Sequence, residues 1–287
     1  MTIRWTLADT LPPQIGHTLI WILLDLAILG IFTGFLAGLL GVGGGLVLIP
    51  ILTYMFHNVL GLETALAVKM AIATGMSTIV VTSLASTRMH HQIGAVRWEL
   101  VKGLTPGLIV GSLISSLWLF AFINGAVLAL VFAGFAAFSA TQMLLDRKPK
   151  PSRDMPGPVG QTAAGGLIGV VSGLVGAGGA FMSVPFMVWC NVPMRQVVAT
   201  SAALGFPIAL FNAVGYVVSG WQVGGTPDYS FGYVWLPALL MICLSTVFTA
   251  PIGARMAHRW PVKQLKRAFA VLLYALATSM LYRGLTA

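Results

Sequence analysis

The sequence predicts an all-α polytopic membrane protein built from two inverted repeats. Each repeat is one glycine-broken helical hairpin plus three transmembrane helices. Three observations predict this. Of 287 residues, 57% are hydrophobic and only 8% charged, against roughly 25% charged in an average soluble domain. The apolar residues fall into eight long blocks. A glycine motif recurs at a fixed spacing, and the basic residues avoid half of the connections.

The composition excludes several classes. A soluble surface needs about a quarter to a third of charged residues, which this chain cannot supply. The net charge of +9 rests on sixteen Lys and Arg, too few for a phosphate-tracking surface, so no nucleic-acid partner is expected. Continuous apolar runs exclude an outer-membrane barrel, whose strands alternate. The expected partner of the surface is the lipid bilayer. Cys190 and Cys243 lie in apolar stretches and read as small buried hydrophobes. Residues 1–18 are polar, with Pro12-Pro13 and no small-residue cleavage signal, and read as an uncleaved segment.

The blocks run, in order, over about Leu19–Phe56, Thr64–Thr87, Gly103–Ala121, Gly125–Leu145, Gln161–Cys190, Gln196–Ser219, Phe231–Ala254 and Ala268–Tyr282. Most match the ~20 residues that span a bilayer as a helix. The first and fifth are longer, at 38 and 30 residues, and glycine clusters interrupt both. A straight helix of 30 residues would be about 45 Å long, half again the hydrocarbon thickness. Each is therefore expected to be two half-length helices joined by a turn. The resulting units are repeat 1 over 19–145, a basic linker over 146–160 and repeat 2 over 161–287.

The two breaks share the pattern G-x3-G-L-x-G-x-G-G-x5-P. It covers Gly34, Gly38, Leu39, Gly41, Gly43, Gly44 and Pro50 in the first copy. The second copy has Gly169, Gly173, Leu174, Gly176, Gly178, Gly179 and Pro185, each 135 positions later. At an offset of 126, Lys69 matches Arg195 and Ala73-Thr74 matches Ala199-Thr200. Internal duplication of this kind is typical of secondary transporters.

Twelve of the sixteen basic residues fall in three loops, 88–102, 146–153 and 255–267, while the connections 57–63, 121–125 and 220–230 have none. Cytoplasmic loops hold the Lys and Arg. If every block crossed once, the third basic loop would be translocated. If the two broken blocks leave on the side where they enter, all three basic loops are cytoplasmic and all three connections without basic residues external. The second half is then inverted relative to the first, and both termini lie outside. Arg4 and Arg283 run against the rule there.

Non-helical backbone at membrane depth needs a cavity or protein around it. Half-helix N-termini offer free N–H groups and partial positive charge, and glycine lets a ligand come close. Gly41, Gly43, Gly44, Gly176, Gly178 and Gly179 are therefore candidates for lining an anion path. Gly34, Gly38, Gly169 and Gly173 fit helix packing better. Ionisable residues inside apolar blocks are costly and point to function. Lys69 and Arg195 are candidates for holding an anion, or they snorkel to an interface. Asp25 is a candidate coupling group, or sits at a helix end. Thr74, Ser77, Thr200, Ser201 and Asn212 can donate to ligand oxygens or bond between helices. His90-His91 has no acidic or cysteine companion, so no metal site is expected. No P-loop or dinucleotide fingerprint follows the glycines, so no cofactor is expected. No catalytic constellation is visible.

The repeated Gly38-Leu-Leu-Gly-Val-Gly-Gly and Gly173-Leu-Val-Gly-Ala-Gly-Gly, with the later prolines, resemble the sulfite exporter TauE/SafE family of membrane permeases. Ala73-Thr74-Gly75, Ala199-Thr200-Ser201 and Ala250-Pro-Ile-Gly-Ala-Arg255 are similar to it too, and the likeness runs from about residue 20 to 285. The resemblance implies export of small sulfur-containing anions, such as sulfite, sulfoacetate or other organosulfonates, across the inner membrane. A passive anion channel and a sulfur-relay protein are the rival readings. The relay would call for a reactive cysteine or metal cluster.

Overall fold

The computed structural model describes residues 13–40, 44–145, 153–257 and 262–286. The chain is almost wholly helical. The first half holds α1 (Pro13–Leu40), α2 (Gly45–Asn58), α3 (Thr64–Gln92), α4 (Trp98–Phe122) and α5 (Gly125–Leu145). The second holds α6 (Pro158–Val175), α7 (Ala180–Trp189), α8 (Met194–Gly220), α9 (Leu236–Ala257) and α10 (Val262–Thr286). Seven of these, α3 to α6 and α8 to α10, are long and apolar enough to cross a membrane. The chain is a multi-pass membrane protein.

Both glycine clusters interrupt helices as expected, but the arms are unequal rather than half-length. α6 has 18 residues, about 27 Å of helix, and α7 only 10, about 15 Å. α1 has 28 and α2 has 14. The break falls where successive glycines sit, and those lie near the C-terminal end of each apolar block's first arm. Pro50 and Pro185 sit inside the short arms.

α3 and α8 pack on each other and are buried along most of their length, whereas α9 and α10 face mainly outward. The core gathers around α2, α3 and α8, with Ile49, Leu52, Phe56, Met70, Ile72, Met76 and Tyr216 fully enclosed. Outward faces carry Trp118, Phe122, Leu240 and Phe248, apolar side chains suited to lipid. The helix pairings come in exchanged couples. α1 packs on α9 as α6 packs on α4; α3 contacts α9 as α8 contacts α4; α5 pairs with α10.

Small residues set two of these crossings. Along α4, added Cβ atoms at Gly107 and Gly111 would lie 1.8 Å from Thr162 O and 2.1 Å from Gly166 O on α6. Along α6, one at Gly165 would lie 2.2 Å from Leu104 O. On the other side, Cβ atoms at Gly30 and Gly34 of α1 would meet Ser245 and Thr249 of α9 at 2.8 and 2.4 Å. Such contacts let backbones approach where lipid gives no hydrophobic drive between helices.

One element was not anticipated. Between α8 and α9 a two-stranded hairpin pairs β1 (Ser230–Phe231) with β2 (Val234–Trp235) antiparallel. Gly232, at φ +56°, makes its turn against Val217 O, which a Cβ would approach to 2.3 Å. Tyr233, Val234 and Trp235 are buried beneath the ends of the helices.

Candidate functional site

The start of α3, the end of α4, the start of α5 and the hairpin converge at one end of the bundle. Lys69 lies there, half-buried on the second turn of α3. Its Nζ donates to Ala121 O at 3.1 Å and sits 5.8 and 5.6 Å from the ring centres of Phe120 and Tyr233. Two aromatic faces and one carbonyl stabilise the ammonium without neutralising it. Among the described residues the ion pair is Arg97 with Glu99, far along the chain from Lys69.

An open cleft of about 310 Å³ surrounds Lys69, with Leu66, Ile123, Asn124, Val223 and Tyr233 among its walls. Asn124 Oδ1 accepts from Ala126 N–H at 3.2 Å at the start of α5, where the helix adds partial positive charge. Burial pushes the Tyr233 phenol up, so it keeps its proton at neutral pH and can donate. The cleft thus presents a cation and donors at one end and apolar walls around them. Tyr233 and Asn124 were missed from sequence. The only signal was the aromatic and β-branched run around Gly232.

Thr74 and Thr200 prove to be matched in an unexpected way. Thr74 Oγ1 accepts the backbone N–H of Trp235 at 3.1 Å, just before α9. Thr200 Oγ1 accepts the backbone N–H of Arg97 at 3.1 Å, just before α4. Both threonines are fully buried. Each fastens the start of a later helix and keeps its own proton to donate. Ser77 is buried and donates to Ala73 O at 2.8 Å, within its helix. Ser201 Oγ pairs with Ser183 Oγ at 2.8 Å, tying α8 to α7.

The two breaks do meet. A Cβ on Gly45 would lie 2.7 Å from Gly176 O. Gly176 closes α6 with φ +70°, its N–H donating to Ser172 O at 2.8 Å. Gly179 precedes α7 with φ +76°. Both conformations favour glycine. Gly44 precedes α2 with ordinary helical angles. Isoleucines pack around the junction: Ile49 and Ile72 at Gly176, Ile79 at Gly178 and Ile208 at Gly179. Gly41 and Gly43 lie outside the described residues.

The remaining candidates scatter. Arg195 is exposed at the start of α8, unlike its half-buried counterpart Lys69. Asn212 is fully buried, but its Nδ2 already donates to Ile208 O at 2.8 Å. One of its two amide hydrogens is thereby committed, while its Oδ1 has no donor. Asp25 is exposed in a groove between α1 and α2, lined by Ile28, Phe32 and Ile51. His91 accepts from Trp98 Nε1 at 3.2 Å. Among the described residues, no group of three or more His, Cys, Asp or Glu is placed to hold a metal.

Comparison with known proteins agrees with this architecture. The family profile of the sulfite exporter TauE/SafE matches residues 26–280. A probable membrane transporter protein of Haemophilus influenzae is 33% identical over 254 residues, covering 88% of this chain and 96% of that protein. One of Methanocaldococcus jannaschii is 26% identical, covering 89% and 94%. The probable membrane transporter protein YunE of Bacillus subtilis is 24% identical, covering 91% and 97%. No solved structure matches the chain. Matched along nearly its whole length by the profile and by these relatives, the chain belongs to the sulfite exporter TauE/SafE family and is a membrane transporter rather than an enzyme.

Proposed function

We propose that this transporter carries a small sulfur-containing anion, sulfite or an organosulfonate such as sulfoacetate, across the inner membrane by secondary transport. The family's description as a sulfite exporter supports the outward direction. The observation that carries the reading is Lys69: a half-buried ammonium that pairs with no carboxylate among the described residues, set in a cleft with Tyr233 and the start of α5. Such a cleft attracts an anion, and its apolar walls suit a carbon-bearing sulfonate.

In reconstituted vesicles, Lys69→Ala is expected to weaken uptake of sulfite or sulfoacetate by at least about tenfold. A charged hydrogen bond contributes about 1.5–3 kcal/mol, and 1.4 kcal/mol is tenfold. Arg195→Ala, at an exposed position, is expected to cost less than about threefold. Unaltered uptake by the Lys69 variant removes the anion-holding role.

The proposed topology has two inverted repeats, 19–145 and 161–287, joined by a cytoplasmic linker, 146–160, with both termini periplasmic. The exchanged helix pairings and the two matched threonine bonds support the inversion. Two of the connections without basic residues, 121–125 and 220–230, line the cleft around Lys69. Elsewhere, Arg153 meets Asn191 and Trp189 beside the α7–α8 connection. In a background lacking Cys190 and Cys243, Gly224→Cys is expected to react with an impermeant thiol reagent added outside, and Gly157→Cys not to react. The opposite pattern overturns the orientation. A Cβ at either site meets nothing within 4 Å.

A further inference from the structure

A second polar cluster lies away from Lys69, where α4, α6 and α8 meet. α4 widens there into a π-helical stretch, Ile114–Leu119, a local irregularity frequent at functional sites. Ser112, Ser115 and Ser116 on this part of α4 are all fully buried. Ser116 Oγ donates to Ser112 O at 2.7 Å and Ser115 Oγ donates to Val170 O at 3.0 Å. Ser112 Oγ has no partner. Across from them, Asn212 of α8 is 0% exposed, and its Oδ1 has no donor. That oxygen and Ser115 Oγ lie 2.3 and 2.5 Å from one point, the place a Gly173 Cβ would occupy. Tyr216 donates its hydroxyl to Gly173 O at the same crossing.

The protons in this cluster are largely spent and the oxygens are not. Asn212 has committed one of its two Nδ2 hydrogens, Ser115 and Ser116 their hydroxyls, and Tyr216 its phenol. What remains is mostly acceptors, led by an orphaned amide oxygen, with the Ser112 hydroxyl beside them. A buried acceptor without a donor costs free energy, so a retained one calls for a guest. Converging acceptors repel an oxyanion and attract a cation. The charged residues of these three helices are Glu99, Lys102 and Arg195, all near the helix starts and more than two turns away in sequence. A ligand set without formal charge suits one positive charge rather than two, and neutral oxygens suit a hard ion. Glycine at 173 keeps the space free of a side chain.

We propose that Asn212, Ser112 and Ser115 form a binding site for a small monovalent cation, sodium. Its use as a coupling ion rests on the proposed secondary transport. Binding itself does not.

The test uses the purified full-length protein in nanodiscs, with no sulfur anion present. Thermal unfolding is followed in sodium chloride and in choline chloride at equal ionic strength. Sodium at about ten times its Kd is expected to raise the midpoint by about 3 °C. Asn212→Leu is expected to lose that rise while unfolding at an unchanged or higher midpoint in choline, because it removes an orphaned acceptor. Asn212→Asp is expected to enlarge the rise. If Asn212→Leu fails to fold, Ser115→Ala carries the test and is expected to halve the rise or abolish it. Equal midpoints in the two salts for the unaltered protein overturn the proposal. So does a full sodium response in Asn212→Leu, or in Ser115→Ala where that variant carries the test. Since no transported anion is present, either result leaves the Lys69 reading intact.

Discussion

An alanine at Gly176 is expected to abolish transport while leaving a folded protein. The residue holds φ +70° at the end of α6, a conformation that costs an L side chain about 1–2 kcal/mol. Its added methyl would stand 2.5 Å from Ile49 Cδ1 and 3.1 Å from Ile72 Cγ2. Those side chains belong to α2 and α3, in the first half of the chain. The strain therefore lands on the contact between the two breaks, where Gly45 faces Gly176 O. In transporters built from repeats, alternating access rocks one half against the other, and this junction is one place where the two halves of the chain touch. Uptake in vesicles is expected to fall by more than about tenfold, the equivalent of ~1.4 kcal/mol, with the unfolding midpoint lowered by only about 2–8 °C. Gly134→Ala is the control: it sits in α5 with nothing within 4 Å of its added Cβ, and is expected to transport normally. Normal transport by Gly176→Ala would remove the junction from the transport cycle.

The largest loss of stability is expected from Gly107→Val. Its Cβ would lie 1.8 Å from Thr162 O and 2.7 Å from Gly166 N, all main-chain atoms that cannot rotate away. α4 and α6 would have to separate. Overpacking of one methylene costs about 1–3 kcal/mol in a core that can still shift. A branched side chain against backbone exceeds that, so about 3 kcal/mol or more is expected, near 6–12 °C in the midpoint. The same separation would also pull Gly111 from Gly166 O and Gly165 from Leu104 O. Thermal unfolding monitored by monodispersity after detergent extraction reads this directly. A midpoint within about 2 °C of the parent would mean that the crossing is looser than its glycines imply.

The apolar blocks were legible because membrane helices announce themselves by length and composition. The block Gly125–Leu145 coincides with α5, and Gly103–Ala121 lies inside α4. The breaks were legible because glycine clusters have few other uses at that depth. The relative lengths of the arms were not, since nothing in an apolar run marks where its surroundings change. The hairpin escaped because two-residue strands have no periodicity to read. Missing it hid the difference between Lys69 and Arg195. In sequence they are equivalents, but Tyr233 of the hairpin covers the first and Arg195 stays exposed. The orphaned Oδ1 of Asn212 was not legible because sequence shows an amide and not which of its ends lacks a partner. Ser112 and Ser115 were passed over because a serine in an apolar block carries no signal of the face it occupies.

The paired fastening by Thr74 and Thr200 has one more consequence. In both places the donor is a main-chain amide, of Trp235 and of Arg97. Any residue but proline supplies that amide, so the fastening sets no demand on the side chain beside it. One position is therefore free to bury an indole against Phe56. The other is free to place a guanidinium beside Glu99. Two halves that share a skeleton can in this way present an aromatic plug at one mouth and a charged rim at the other, and neither choice loosens the frame.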